Sequence, residues 1–264
     1  MGLRRPKERL LGVDFAGVVE AVGGEVTDFR PGDEVFGART GALAEYVCVR
    51  NAVARKPANA TFEQAAAVPV AGITALQALR DKGNLQPGQK VLINGASGGV
   101  GTLAVQVAKA LGAEVTGVCH ARNVELVRSL GADHVVDYTR EDFTRGERRY
   151  DLLLHVAGRR TWSEVARVLE PDATVVVVGG PMGNRAIGPL AQVARLRLGS
   201  VRDSRRTVFF IAKLNRPDLE FLRELLEAGK LTPVVDRQYE LSQAADAFRY
   251  LGEGHCRSKV VVNV

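Results

Sequence analysis

Four glycines within seven residues, Gly95, Gly98, Gly99 and Gly101, surround a single hydroxyl, Ser97, in the stretch Lys90 to Leu111, KVLINGASGGVGTLAVQVAKAL. Glycines at this density let a backbone turn tightly and approach a bulky anion, and the hydroxyl adds a donor. Before them, Val91-Leu92-Ile93 is an apolar run without alternation, which reads as a strand buried on both faces. After them, Val100, Leu103, Ala104, Val107, Ala108 and Leu111 recur at helical spacing. Strand, glycine turn and helix together aim backbone N–H groups and the positive end of a helix dipole at one place, which suits a pyrophosphate. Read as G-x-G-x-x-G, the stretch has Ala96 in the first place, Gly98 in the second and Gly101 in the third.

The same residues also fit G-x-S-x-G, a nucleophile elbow, and Ser97, then Asp151 or Asp236, then His255 is a permissible order for a hydrolytic triad. An elbow gives no reason for Gly101, and no HGGG-like segment lies upstream. The phosphate cradle is therefore the preferred reading, with an α/β-hydrolase using Ser97 as the remote alternative.

Which dinucleotide is expected follows from the end of the next strand. Enzymes using NAD place Asp or Glu there, roughly 20 residues beyond the fingerprint, to bind the ribose hydroxyls. Here the segment is Val118-Cys119-His120-Ala121-Arg122-Asn123, with no acid and one fixed cation. A guanidinium holds a 2′-phosphate through paired N–H donors, so NADPH is expected over NADH. A solvated arginine at a helix start is the competing account of Arg122.

No metal ligand set is expected. There is no C-x-x-C and no H-E-x-x-H; Cys119 and His120, adjacent on a strand, point to opposite faces, and His255-Cys256 is an isolated pair. Without a Lewis acid, hydride transfer to an unactivated ketone forgoes several kcal/mol of charge stabilisation. The expected acceptor is already activated, a quinone or a C=C bond conjugated to a carbonyl. No residue qualifies as a catalytic acid; Tyr46 is the nearest, and a packed strand tyrosine is the preferred reading of it.

The elements that carry these residues are legible in outline. From Leu10 to Val53, short strands at Val13–Val22, Glu34–Phe36 and Ala44–Val49 make a small antiparallel unit. Thr61, with Gln64 three residues on, starts a helical stretch that Pro69 and Gly72 break, giving two helices and a kink at a joint between domains. Strands at Glu114–Cys119, His134–Tyr138, Asp151–Val156 and Thr174–Val178 then alternate with helices at Asn123–Leu130 and Ser163–Leu169. That alternation predicts an α/β fold with a doubly wound parallel sheet. Ile187 to Phe210 mixes an apolar period with a basic run and specifies no element. Helices at Asp218–Ala228 and Ser242–Leu251, with strands at Thr232–Tyr239 and Val260–Val264, complete the chain.

At 264 residues, 46% hydrophobic and 25% charged, the composition is that of an ordinary globular protein. Three unpatterned cysteines point to a reducing compartment and a cytoplasmic location. No apolar run is long enough to span a bilayer, so no membrane association is expected. The charge of +6 and pI of 9.4 come from scattered basic residues with few aromatics among them, which favours a small polyanionic ligand over nucleic acid.

The segments LGVDFAGVVEAVG, RPGDEVFG, ALAEYVCV, AAAVPVAGITALQAL, GQKVLINGASGGVG, LVRSLGADHVVDY, LEAGKLTPVVDRQYEL and KVVVNV span nearly the whole chain. In this order they resemble the zinc-independent medium-chain dehydrogenase/reductases, in the quinone oxidoreductase branch. Zinc members have Gly-His-Glu where this chain has Gly12-Val13-Asp14, and the four-cysteine zinc loop is lacking. The resemblance implies a GroES-like substrate domain made from both ends of the chain, here 1–72 and 207–264, around a Rossmann domain at 73–206. It implies that Ser97, Gly98, Gly99, Val100 and Gly101 hold the pyrophosphate, and that His120, Arg122 and Tyr138 surround the 2′-phosphate. Many relatives have Ser in place of His120. Thr74, Gly179, Gly180, Phe210, Ser258 and Lys259 fall where relatives approach the nicotinamide end or the cleft. A homodimer through the Rossmann sheet edge is also implied. Because relatives begin with further strands, the resemblance makes the GroES-like domain partial, truncated at its N-terminus, with an exposed sheet edge and an open pocket. An NADPH-binding scaffold or sensor with weak turnover is the alternative this raises.

Overall fold

Two hydrophobic periods in one chain build two kinds of sheet. The computed structural model describes residues 10–158, 160–178, 196, 199, 203–254 and 256–264. β1 (Asp14–Val18) and β2 (Glu34–Ala38) pair antiparallel, and β2 pairs in turn with β3 (Val53–Arg55). Asp33 anchors the turn into β2: it accepts from the Arg30 N–H at 3.0 Å and pairs with Arg55 at 2.8 Å. The strand expected at Ala44–Val49 does not form; those residues run as bends and coil, and β3 takes the third place in the sheet. The reason is burial. Val53 and Ala54 pack inside against Phe36, whereas Ala44, Glu45, Tyr46 and Cys48 stay exposed and join no ladder.

Thr61 caps α1 (Phe62–Ala66) through a reciprocal pair, Gln64 N–H to Thr61 Oγ1 at 3.2 Å and Thr61 N–H to Gln64 Oε1 at 3.0 Å. Pro69 opens α2 (Pro69–Leu76), where its missing N–H has no partner to lose. Gly72 does not break α2, as its type had suggested; it lies inside the helix, where a Cβ would stand 2.9 Å from Leu222 Cδ1. The chain then widens into one π-helical segment, Gln77–Lys82.

The alternating half follows: β4 (Lys90–Asn94), α3 (Gly99–Ala110), β5 (Glu114–Cys119), α4 (Val124–Ser129), β6 (His134–Asp137), β7 (Tyr150–His155), α5 (Trp162–Val165), β8 (Leu169–Val177) and β9 (Arg206–Phe209). Its six strands lie in the order β6-β5-β4-β7-β8-β9, all parallel. Leu92, Val118, Phe143, Leu153, Trp162 and Val165 share one buried cluster, which is why the strands read as unbroken apolar runs. β8 starts five residues earlier than its apolar run suggested, at Leu169, with a register shift between Tyr150 and Leu152 on its neighbour.

The chain ends with α6 (Arg216–Glu227), β10 (Val235–Glu240), α7 (Ala244–Gly252) and β11 (Lys259–Asn263), with β10 and β11 pairing in parallel. Asn215 caps α6 by accepting from the Asp218 N–H at 2.9 Å. Two compact units result: one from residues up to Ile73 together with Lys213–Val264, the other from Thr74–Ala212. The boundary expected at 206/207 would cut β9, whose ladder with β8 holds it in the parallel sheet, so the division falls after Ala212. Among the described residues no helix is long and apolar enough to cross a bilayer. Gly179, Gly180, His255 and most of the stretch from Ile187 to Arg206 lie outside the described residues.

Candidate functional site

In an open parallel sheet a ligand crevice forms where the strand order reverses, beyond the carboxyl ends of the strands. Here the reversal lies between β4 and β7. Leaving β4, the Gly95 and Ala96 N–H groups both donate to the Val118 carbonyl, at 3.1 and 3.0 Å, bending the loop over the end of β5. Gly95 takes φ +96°, and a Cβ there would stand 2.9 Å from that of Ala157. At Gly101 a Cβ would stand 2.1 Å from the Gly95 carbonyl oxygen, so only glycine lets α3 abut the loop.

Gly98 differs. A Cβ there meets only the Gly95 oxygen, at 3.6 Å, so the protein's own packing does not demand glycine. A ligand lying over the loop would. Gly98 is also the cap of α3 and supplies no side chain to its first turn, and that turn carries no acid. The first amides of any helix lack an intrahelical acceptor, so those of Gly99, Val100 and Gly101 suit an anion at the positive end of a twelve-residue helix. The loop fits a dinucleotide pyrophosphate.

Ser97 is tied to the next turn, its Oγ accepting from Asn123 Nδ2 at 3.0 Å. In that turn His120 Nδ1 accepts from the Arg122 N–H at 3.2 Å, which leaves Nε2 as the ring's donor when neutral. The ring stands edge-on to Tyr138, centroids 5.8 Å apart and planes at 85°. Tyr138 follows β6 and its N–H donates to the Cys119 carbonyl at 3.1 Å. Asp137 is held below the usual carboxylate range, first by the Thr139 hydroxyl donating at 2.7 Å and then by the Thr139 N–H, against the opposing effect of burial. Burial, and then the charge of Asp137, pushes the Cys119 thiol up to about 11, so it stays neutral and unreactive. Ser97 to Gly101, His120, Arg122 and Tyr138 thus gather at the ends of β4, β5 and β6, in one unit.

The other expected residues are more dispersed. Thr74, half-buried on α2, and Phe210, whose ring lies 5.8 Å from Lys82 Nζ, belong to this unit as well. Ser258 and Lys259 belong to the other unit. Ser258 has φ +74°, and Lys259 Nζ pairs with Asp14 Oδ2 at 2.6 Å while the Val70 N–H donates to Asp14 Oδ1 at 2.8 Å. Tyr46 is 74% exposed on coil, not a packed strand tyrosine. The triad through Asp151 is not assembled: its carboxylate accepts from the Lys90 N–H at 2.8 Å, at the start of β4, whereas Ser97 lies past that strand's other end. Asp236 is committed to the Tyr250 hydroxyl at 2.6 Å and the Arg257 N–H at 2.9 Å. Among the described residues no three His, Cys, Asp or Glu side chains cluster as a metal site would need.

Three polar residues escaped sequence reasoning: Asn94, Asn123 and His155, all buried. The available signal was a lone polar residue closing an apolar strand, as in VLIN and LLLH.

Two family models match the chain: one described as a zinc-binding dehydrogenase, over residues 130–262, and one described as an alcohol dehydrogenase GroES-like domain, over residues 2–73. The mitochondrial NAD(P)H oxidoreductase RTN4IP1 of Mus musculus is 38% identical over 288 residues, covering 96% of this chain and 70% of that protein. The chloroplast envelope quinone oxidoreductase homolog of Arabidopsis thaliana is 35% identical, covering 94% of this chain and 78% of that protein. The structure of the quinone oxidoreductase from Coxiella burnetii superimposes with a TM-score of 0.84 at 31% identity, covering 96% of this chain and 79% of that one. The curated relatives overturn the cytoplasmic location expected from cysteine usage, since these proteins are mitochondrial or chloroplastic. Unpaired cysteines report a reducing environment, and the cytosol is not the only one.

Proposed function

The chain belongs to the medium-chain dehydrogenase/reductase superfamily and is an NAD(P)H-dependent oxidoreductase with quinone oxidoreductase-like relatives, and from that premise we propose that it uses NADPH to reduce a quinone or a conjugated enone without zinc. The observation that carries the choice of NADPH is the turn after β5, where His120 and Arg122 stand with no carboxylate to receive ribose hydroxyls. Arg122 offers paired donors to a 2′-phosphate, His120 offers Nε2–H, and Tyr138 offers its hydroxyl. The amides at the head of α3 and the Ser97 hydroxyl take the pyrophosphate.

The bound cofactor would supply the hydride. Zinc independence is supported by Asp14, which stands where zinc relatives have glutamate and has its two oxygens committed to the Val70 N–H and to Lys259. An acceptor that is already electron-poor needs no Lewis acid. Hydride at the β-carbon of an enone leaves an enolate, and hydride to a quinone leaves a hydroquinone anion; each then takes one proton, which we assign to water. Within the unit that carries the glycine loop, Thr74 and Phe210 are proposed to approach the nicotinamide end. The edge strand β9, with Phe209 exposed at its end and Ile211 exposed two residues beyond, is the proposed dimer contact; a small molecule, not nucleic acid or membrane, is the proposed partner.

Titration of NADPH and NADH by nicotinamide fluorescence tests this reading. NADPH is expected to bind at least about tenfold tighter, and Arg122→Ala to remove most of that preference. Tighter NADH, or an unaffected Arg122→Ala variant, would reject it. Steady NADPH consumption with quinones or enones supports the enzyme; tight binding without turnover supports a scaffold or sensor.

A further inference from the structure

Asn123 closes the 3-10 turn Ala121–Asn123 that leads into α4, and that turn already has its cap in His120, whose Nδ1 accepts from the Arg122 N–H at 3.2 Å. The Asn123 side chain makes no bond to the first amides of α4. Its Nδ2 reaches across to Ser97 Oγ at 3.0 Å, and its Oδ1 is buried without a hydrogen-bond partner. The residue is 5% exposed, so water does not substitute freely for either bond. A buried carbonyl oxygen is left unpaired, which is unfavourable for stability alone. What the arrangement secures lies at Ser97.

A hydroxyl has one hydrogen and two lone pairs. When Ser97 Oγ accepts from the Asn123 amide, its own hydrogen is turned away from Asn123 and is free to donate elsewhere. The Asn123 backbone is fixed as well, its N–H donating to the His120 carbonyl at 2.8 Å. The glycine loop is thereby pinned to the turn that carries His120 and Arg122. Resting on the dinucleotide reading above, we propose that Asn123 is a positioning residue that orients the Ser97 hydroxyl as a donor to the pyrophosphate.

The test measures dissociation constants for NADPH, ADP and 2′-AMP in the wild type, Ser97→Ala, Asn123→Ser and the double variant, with thermal denaturation alongside. Serine keeps a small polar side chain at the position but is too short to reach Ser97. Asn123→Ser is expected to weaken NADPH and ADP about tenfold, with a similar loss for Ser97→Ala. The double variant should be no weaker than the worse single variant, because both remove one interaction. Binding of 2′-AMP, which has no pyrophosphate, should be retained, and the melting temperature should not fall. Unchanged NADPH affinity in Asn123→Ser, additive losses, or an equal loss for 2′-AMP would each overturn the proposal. If the wild type binds no dinucleotide, the parent reading fails and this one with it. If it binds NADPH through Arg122 and ignores Asn123→Ser, only this one fails.

Discussion

Asn94 Nδ2 and His155 Nδ1 stand 3.1 Å apart inside the protein, at register-paired positions where β4 and β7 end. The same Nδ2 donates to the Ala157 carbonyl at 2.8 Å, and the Asn94 carbonyl accepts from the Val156 and Ala157 N–H groups at 3.0 and 3.3 Å. One residue therefore stitches together the two strand exits on either side of the topological reversal. With Asn94 donating, the ring is neutral and carries its proton on Nε2.

Burial drives His155 down to about 4, with the charge of Arg160 acting in the same direction and the Gly158 carbonyl opposing. The ring's pKa is lower folded than unfolded, so its contribution to stability is complete above the ordinary value of 6.5. As pH falls from 6.5 towards 4, the unfolded chain takes up a proton that the folded one refuses. Stability should drop over that window by on the order of 3 kcal/mol. Urea denaturation at a series of pH values checks this: His155→Asn should lose that part of the slope, and parallel curves for wild type and variant would refute the assignment.

Two glycines of the loop should respond in opposite ways. Gly101→Ala places a methyl group 2.1 Å from a carbonyl oxygen, and should cost about 2–4 kcal/mol of stability. Gly98→Ala meets ordinary contact distances and should change stability by less than about 1 kcal/mol, while weakening NADPH at least about tenfold. Calorimetry and cofactor titration on the two variants separate packing from ligand approach. A Gly98→Ala variant that binds normally would remove the phosphates from this loop.

The Asp14–Lys259 pair, 2.6 Å apart with side chains 14% and 23% exposed, is partly withdrawn from water. Asp14→Ala leaves the lysine uncompensated and the Val70 N–H without its acceptor, and is expected to cost about 2–4 kcal/mol in chemical denaturation. Exchanging both charges for apolar residues, Asp14→Leu with Lys259→Met, should cost less than Asp14→Ala alone. A neutral Asp14→Ala would show that the pair is not desolvated in solution.

Thiol chemistry should single out one cysteine. Cys48 is exposed, whereas Cys119 is buried and Cys256 is half-buried. Burial first, and then the neighbouring Asp236, pushes the Cys256 thiol up to about 11, the level that Cys119 also reaches. At pH 8 a thiol reagent such as Ellman's is expected to modify one cysteine rapidly, and Cys48→Ser should abolish that phase. A second fast thiol would contradict the burial of the other two.

The glycine loop and its flanking strand and helix were readable from Lys90 to Leu111 because their signals are local: a non-alternating apolar run, turn glycines and a helical period. The α/β class followed from the same kind of signal repeated along the chain, and the capping box at Thr61 from a spacing of three. Ala44–Val49 misled because alternation states only that a segment could be a strand; pairing needs a neighbour, and the residues at Val53–Arg55 had the burial to provide it. The boundary after Ala212 was equally hidden, since membership of β9 in the sheet depends on hydrogen bonds to β8 and not on the composition of β9.

Sequence alone determined what Ser97, Gly98 and Gly101 could do, through residue type and short-range order. Only the tertiary structure decided that Asn123 would reach Ser97, and that Asn94 would meet His155. Those partners lie 26 and 61 positions apart, and a lone polar side chain in an apolar context carries no mark of its partner. The sheet brings them within hydrogen-bond reach, and burial then makes each bond costly to leave unmade.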